Sequence, residues 1–113
     1  MDTPEIRDAH THFFSRTFFE TLFAQAPPAR RPPSIEAAAE AAGIELPPAD
    51  ADVLLVRWLE EMDRNDIGSM VAFASVPEEA PVVAAAAATS GGRIVGYTVV
   101  NASLPTAAGF IER

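Results

Sequence analysis

The sequence predicts an α/β fold built on a parallel sheet, and two observations carry that prediction. Three runs that can be extended, Ile6 to Phe14, Ser69 to Val76 and Arg93 to Asn101, alternate with segments of helical period. The second and third runs are mostly apolar rather than alternating, as in strands buried on both faces by βαβ crossovers. A third observation locates the chemistry: the chain's two histidines, His10 and His12, stand together at the end of the first run.

Composition sets the bounds. At 113 residues the chain is about one domain, and with 49% apolar residues it is expected to fold. The net charge is −8, and every basic residue is Arg. No clustered basic surface is available for nucleic acid or for anionic membranes. Arg30-Arg31 lies among prolines and reads as a solvated pair. The absence of Cys excludes disulfides, thiolate metal sites and cysteine nucleophiles within the chain. Met1-Asp2-Thr3-Pro4-Glu5 does not read as a secretory signal. The run Ala84 to Ala88 is far shorter than the ~20 apolar residues of a membrane span. A cytoplasmic protein is expected.

The elements follow in order. The first strand ends in a loop near Phe14. Thr17 and Glu20 form a Thr-x-x-Glu capping box, and Phe18, Phe19, Leu22, Phe23 and Ala26 follow on one helical face until Pro27-Pro28. Ser34 caps a second helix, Ile35 to Ala42, which Gly43 closes in a left-handed conformation. Residues 13–50 therefore form a helical insertion after the first strand, either a functional lid or binding element or a plain surface elaboration. Asp50 or Asp52 caps the helix Val53 to Arg64. Its apolar face carries Leu55, Leu59 and Met62, with Trp58 in the core. Glu60 and Arg64 are spaced as an ion pair, and Asn65 ends the helix in a left-handed turn. After the second strand, Glu78 and Glu79 place negative charge at a helix N-terminus, and Pro81 fits its first turn. The helix Val82 to Thr89 ends at Gly91-Gly92. A last helix is expected from Ala107 to Arg113.

His10 and His12 are the candidate site. Strand alternation puts Asp8, His10 and His12 on one face, and two adjacent imidazoles form a chelating pair for zinc. The plain alternative is a pair of polar residues satisfied at a strand end.

Ile6-Arg7-Asp8-Ala9-His10-Thr11-His12-Phe13 resembles the opening strand of the amidohydrolase superfamily, in which His-x-His ends the first barrel strand. Trp58-Leu59-Glu60-Glu61-Met62-Asp63-Arg64-Asn65-Asp66-Ile67-Gly68 looks like the helix-to-second-strand passage of its amidohydrolase-2 branch. That branch includes the aminocarboxymuconate-semialdehyde decarboxylase-like enzymes. Arg93-Ile94-Val95-Gly96-Tyr97 resembles its third strand. The resemblance implies the first three βα units of a metal-dependent (β/α)8 TIM-type barrel, so that residues 1–113 form a single partial domain. It implies His10 and His12 as ligands of Zn2+, or of Mn2+ or another divalent metal, at the C-terminal ends of the strands. Asp8 is a candidate hydrogen-bond partner for a ligating imidazole. Phe13, Phe14, Ser75 and Asn101 are candidate substrate contacts.

The implied activity is hydrolysis or non-oxidative decarboxylation of a small carboxylated or cyclic substrate, with the metal activating water or polarising the substrate. The family's acid–base Asp is expected beyond Arg113, so the chain is expected to be an inactive N-terminal fragment. The alternative is a non-enzymatic α/β protein that forms a homo-oligomer, or pairs with a partner, through open sheet edges.

Overall fold

The computed structural model describes residues 5–100, 102–106 and 108–109. Strand β1 (Ile6–His12) leads into helix α1 (Arg16–Gln25), a short 3-10 turn (Pro28–Arg30) and helix α2 (Ile35–Ala42). Helix α3 (Ala51–Arg64) precedes strand β2 (Ile67–Ala74). A second 3-10 turn (Pro77–Glu79), helix α4 (Ala80–Thr89) and strand β3 (Ile94–Thr98) follow. The three strands form one sheet in the order β1-β2-β3, and both pairings are parallel. The α/β class, the parallel sheet and the helical insertion thus match the sequence reading.

Helices α3 and α4 touch each other and pack on the sheet. On β2 they bury Met70, Ala72 and Ala74, which alternate with partly exposed residues. Phe13, Leu54, Leu55, Met62, Val83, Ala86 and Ile94 complete this core. The sequence predicted burial on both faces of β2, but the structure buries one. Val71 and Phe73 on the other face are half-buried, and their β3 partners Val95 and Tyr97 are exposed. Apolarity alone cannot separate a strand covered twice from one covered once, because Ala and Val suit both environments.

Local capping explains most boundaries. Ser34 caps α2 by accepting from the Ala37 N–H, and Gly43 closes it at φ 69°. Asp50 caps α3. Helix α1 departs from expectation, since its cap is Ser15 rather than Thr17, and Ser15 accepts from the Phe18 N–H. Helix α3 ends on Asn65 at φ −108°, and the left-handed residue is Asp66 at φ 57°. Arg64 pairs with Glu61, one residue nearer than the expected Glu60. Arg31 is not free in solvent. Its guanidinium donates to the carbonyls of Ala24 and Ala26 at 2.8 Å and lies over the Phe23 ring, closing the end of α1. Asn101 and most of the expected Ala107–Arg113 helix lie outside the described residues. Among the described residues, no helix is long and apolar enough to cross a membrane.

Candidate functional site

The site sits where β1 and β2 both end, at the carboxyl edge of the parallel sheet, where open α/β sheets commonly bind ligands. Two loops leave this edge, one carrying Phe13, Phe14 and Ser15 and the other carrying Ser75 to Glu79.

The pairing of β1 with β2 is irregular between Asp8 and Thr11. Asp8 pairs with Met70 and Thr11 with Ala72, so β1 uses Ala9 and His10 where β2 has Val71 alone. An extra residue of this kind is a bulge, and it reverses which face the following side chains take. Asp8 therefore lies beside Met70 on the helix-covered face, whereas His12 lies beside Phe73 on the other. This corrects the expected common face of Asp8, His10 and His12. The Asp8 carboxylate holds the bulge instead: Oδ1 accepts from the His10 backbone N–H at 3.0 Å and Oδ2 from the Thr11 hydroxyl at 2.8 Å. Both oxygens serve this turn, and neither bonds an imidazole. Those bonds, first the one from the His10 backbone and then the one from Thr11, hold the Asp8 carboxyl below its usual 3.8.

The two histidines do come together. Their Nε2 atoms are 3.4 Å apart, with ring centroids at 5.2 Å. Zinc–nitrogen bonds of about 2.0–2.1 Å at a tetrahedral angle place two ligand nitrogens about 3.3–3.4 Å apart. The pair thus has the spacing of one edge of such a polyhedron. If both Nε2 atoms bond a metal, each ring carries its proton on Nδ1. On His12 that nitrogen lies 2.9 Å from Ser75 Oγ, and in that tautomer Nδ1–H donates to the hydroxyl. Ligating histidines are commonly oriented by such a bond on the second ring nitrogen. Among the described residues, no group of three or more His, Cys, Asp or Glu is placed to hold a metal ion.

Aromatic rings surround the pair. Phe73 packs on His10 at 4.4 Å and Tyr97 stacks on Phe73 at 5.6 Å, a row running across the sheet. Phe14 stacks on His12 at 5.3 Å with its backbone at φ 53°, an uncommon conformation for a bulky residue. Phe14 thus borders the histidine pair. Phe13 does not: it is fully buried in the core and stacks on Trp58. Ser75, expected to meet substrate, has its hydroxyl on His12.

Sequence reasoning missed two residues of this region. Glu79 is fully buried and bonds both loops. Its Oε1 accepts from the Ser75 backbone N–H at 2.9 Å. Its Oε2 accepts from the Ser15 backbone N–H at 2.6 Å and from the Ser15 hydroxyl at 2.5 Å. The available signal was a Ser followed by Glu at the start of a helix, which resembles a capping arrangement. Nothing in the sequence marked Ser15 as the third partner. Elsewhere, an apolar cleft of about 250 Å³ lies between α1 and α2, lined by residues such as Phe19, Phe23, Ile35 and Leu46. It contains none of the site residues and no titratable group.

No protein-family model matches the chain, and no curated protein or solved structure matches it either.

Proposed function

We propose that His10 and His12 bind a divalent metal through Nε2, in a metal-dependent hydrolase or carboxy-lyase of the amidohydrolase type. One observation carries this reading, the 3.4 Å separation of the two Nε2 atoms at the carboxyl edge of a parallel sheet. The proposed architecture is the opening βα units of a (β/α)8 barrel. The bare sheet face bearing His12, Phe73 and Tyr97 would then be the barrel interior. Further ligands would come from outside the described residues. When bound, the metal would supply Lewis-acid polarisation of a substrate carbonyl or carboxylate. The chain's own residues have separate tasks. Ser75 offers its hydroxyl as an acceptor to Nδ1–H of His12 when Nε2 takes the metal. Phe14 packs on the His12 ring and Phe73 on the His10 ring, and Tyr97 extends an apolar platform for a flat substrate.

The test is a turnover screen against small carboxylated aromatic and cyclic amide or ester substrates. The full-length gene product is assayed as isolated, after chelation, and after restoring zinc or manganese. Metal-restored turnover that His12→Ala abolishes supports the reading. Turnover indifferent to chelation and to that substitution overturns it.

A second reading has its own observation. β1 and β3 are both sheet edges, and β3 exposes Val95 and Tyr97. Uncovered edges of this kind pair with other strands. A non-enzymatic protein that self-associates there would form a stable oligomer without metal. Elution as a monodisperse monomer in size-exclusion chromatography would count against it.

A further inference from the structure

We propose that Glu79 is a positioning residue for His12, acting through Ser75. The inference rests on the reading of His12 as an Nε2 ligand, and it adds to the site a residue that makes no contact with the imidazoles. The geometry is a continuous chain of contacts. His12 Nδ1 meets Ser75 Oγ at 2.9 Å, and the Ser75 backbone N–H is held by Glu79 Oε1 at 2.9 Å. The other carboxylate oxygen is held by Ser15, three residues beyond His12 on the first loop. One buried side chain thus ties the loop that follows His12 to the loop that carries its hydrogen-bond partner. The contact between Ser75 and His12 spans the two strands and depends on both loops keeping their relative position.

Burying a carboxylate is costly unless its oxygens are bonded. Glu79 is fully buried, and its described bonds come from N–H and O–H donors. A helix cap alone would need the Ser75 bond and no partner from the loop after β1. The two bonds to Ser15 are what make Glu79 a brace across the site. Ser15 in turn accepts from the Phe18 N–H, so the brace also sets where α1 begins.

Glu79→Gln isolates this role. A carboxamide has the same shape but one oxygen and one NH2 group. Its oxygen keeps the side with two donors, at Ser15. Its NH2 group then faces the Ser75 N–H, donor against donor, and Ser75 is released. The expected consequence is a change on His12, reached through Ser75.

The experiment reads the imidazole tautomers of the metal-free chain by long-range proton–nitrogen-15 correlation, and then zinc affinity by titration. In the wild-type chain His12 holds its proton on Nδ1. In Glu79→Gln and Ser75→Ala it becomes a mixture of tautomers, and zinc affinity falls roughly 10–100-fold. Ser75→Thr retains the hydroxyl and restores both readouts. Glu79→Asp, too short to reach both loops, behaves as Glu79→Gln and serves if that variant does not fold. An unchanged His12 tautomer in a folded Glu79 variant overturns the proposal. Loss of the fold in both Glu79 variants also overturns it, because Glu79 would then act on the whole structure rather than on His12. A wild-type chain that ignores zinc, with a tautomer that still responds to Glu79, removes the metal reading and leaves the positioning role standing.

Discussion

The indole N–H of Trp58 donates to the carbonyl of Phe13 at 3.0 Å, fixing helix α3 to the residue that follows His12. The rings of the two residues also stack, at 6.4 Å. The end of β1 is therefore held from beneath by α3 while its histidines face the open side. Trp58→Phe keeps a ring and removes the donor, leaving a carbonyl without its partner. The expected loss is about 0.5–1.5 kcal/mol, read from the urea midpoint. Phe13→Ala also opens a cavity in the core and should cost about 3–5 kcal/mol.

Gly96 lies where β3 meets α4. A Cβ built there would stand 2.9 Å from Val83 Cγ1, and Val83 is buried. Gly96→Ala is expected to destabilise by about 1–3 kcal/mol through overpacking. Val83→Ala in the same chain should recover part of that loss, because neighbouring substitutions couple. Strictly additive losses in thermal unfolding would contradict the contact.

Arg93 braces the opposite edge of the sheet. Its guanidinium donates to the carbonyls of Ile67 and Gly68 at 3.0 and 3.1 Å and pairs with Asp63 at 2.8 Å. Asp63 is mostly exposed, so Asp63→Asn should cost no more than about 1 kcal/mol. Arg93→Met strips charge-assisted bonds from two carbonyls and should cost about 1.5–3 kcal/mol. The ranking of the two variants in denaturant unfolding checks which contacts matter.

Asp8 gives a pH prediction. Its folded value lies below the usual 3.8, chiefly through the His10 backbone N–H and next through the Thr11 hydroxyl. A carboxyl with a depressed folded value adds stability above its unfolded value and loses it as pH falls through the folded one. The contribution is therefore expected in full near neutrality and should fade below 3.8. Carbon-13 titration of the Asp8 carboxyl should give a midpoint below that of an unstructured Asp, and Thr11→Val should raise it.

Elements with local signals were legible in the sequence. Ser34 and Gly43 bracket α2 as their chemistry dictates, and the βα alternation gave the parallel order of the strands. The bulge after Asp8 was not legible, because no Gly or Pro marks it and it arises from pairing with β2. It reversed the reading of Asp8 while leaving the two histidines together. The role of Glu79 was hidden for a related reason. A Glu near a helix start reads as a favourable surface charge, and its burial depends on Ser15, distant in the chain. Phe13 and Phe14 are adjacent in sequence, yet one enters the core and the other borders the site. The positive φ of Phe14, which sends the chain on a new course, has no marker in its residue type.

The 3.4 Å histidine pair is proposed here as a metal chelate. The most direct test follows the imidazole nitrogens of the nitrogen-15-labelled chain by NMR as zinc is added. Chelation requires that Nε2 of both His10 and His12 shifts to a common saturation point while Nδ1 of His12 stays protonated, and that His10→Ala and His12→Ala each abolish saturation. Nε2 signals that do not move, or that saturate equally well in either single variant, would contradict it.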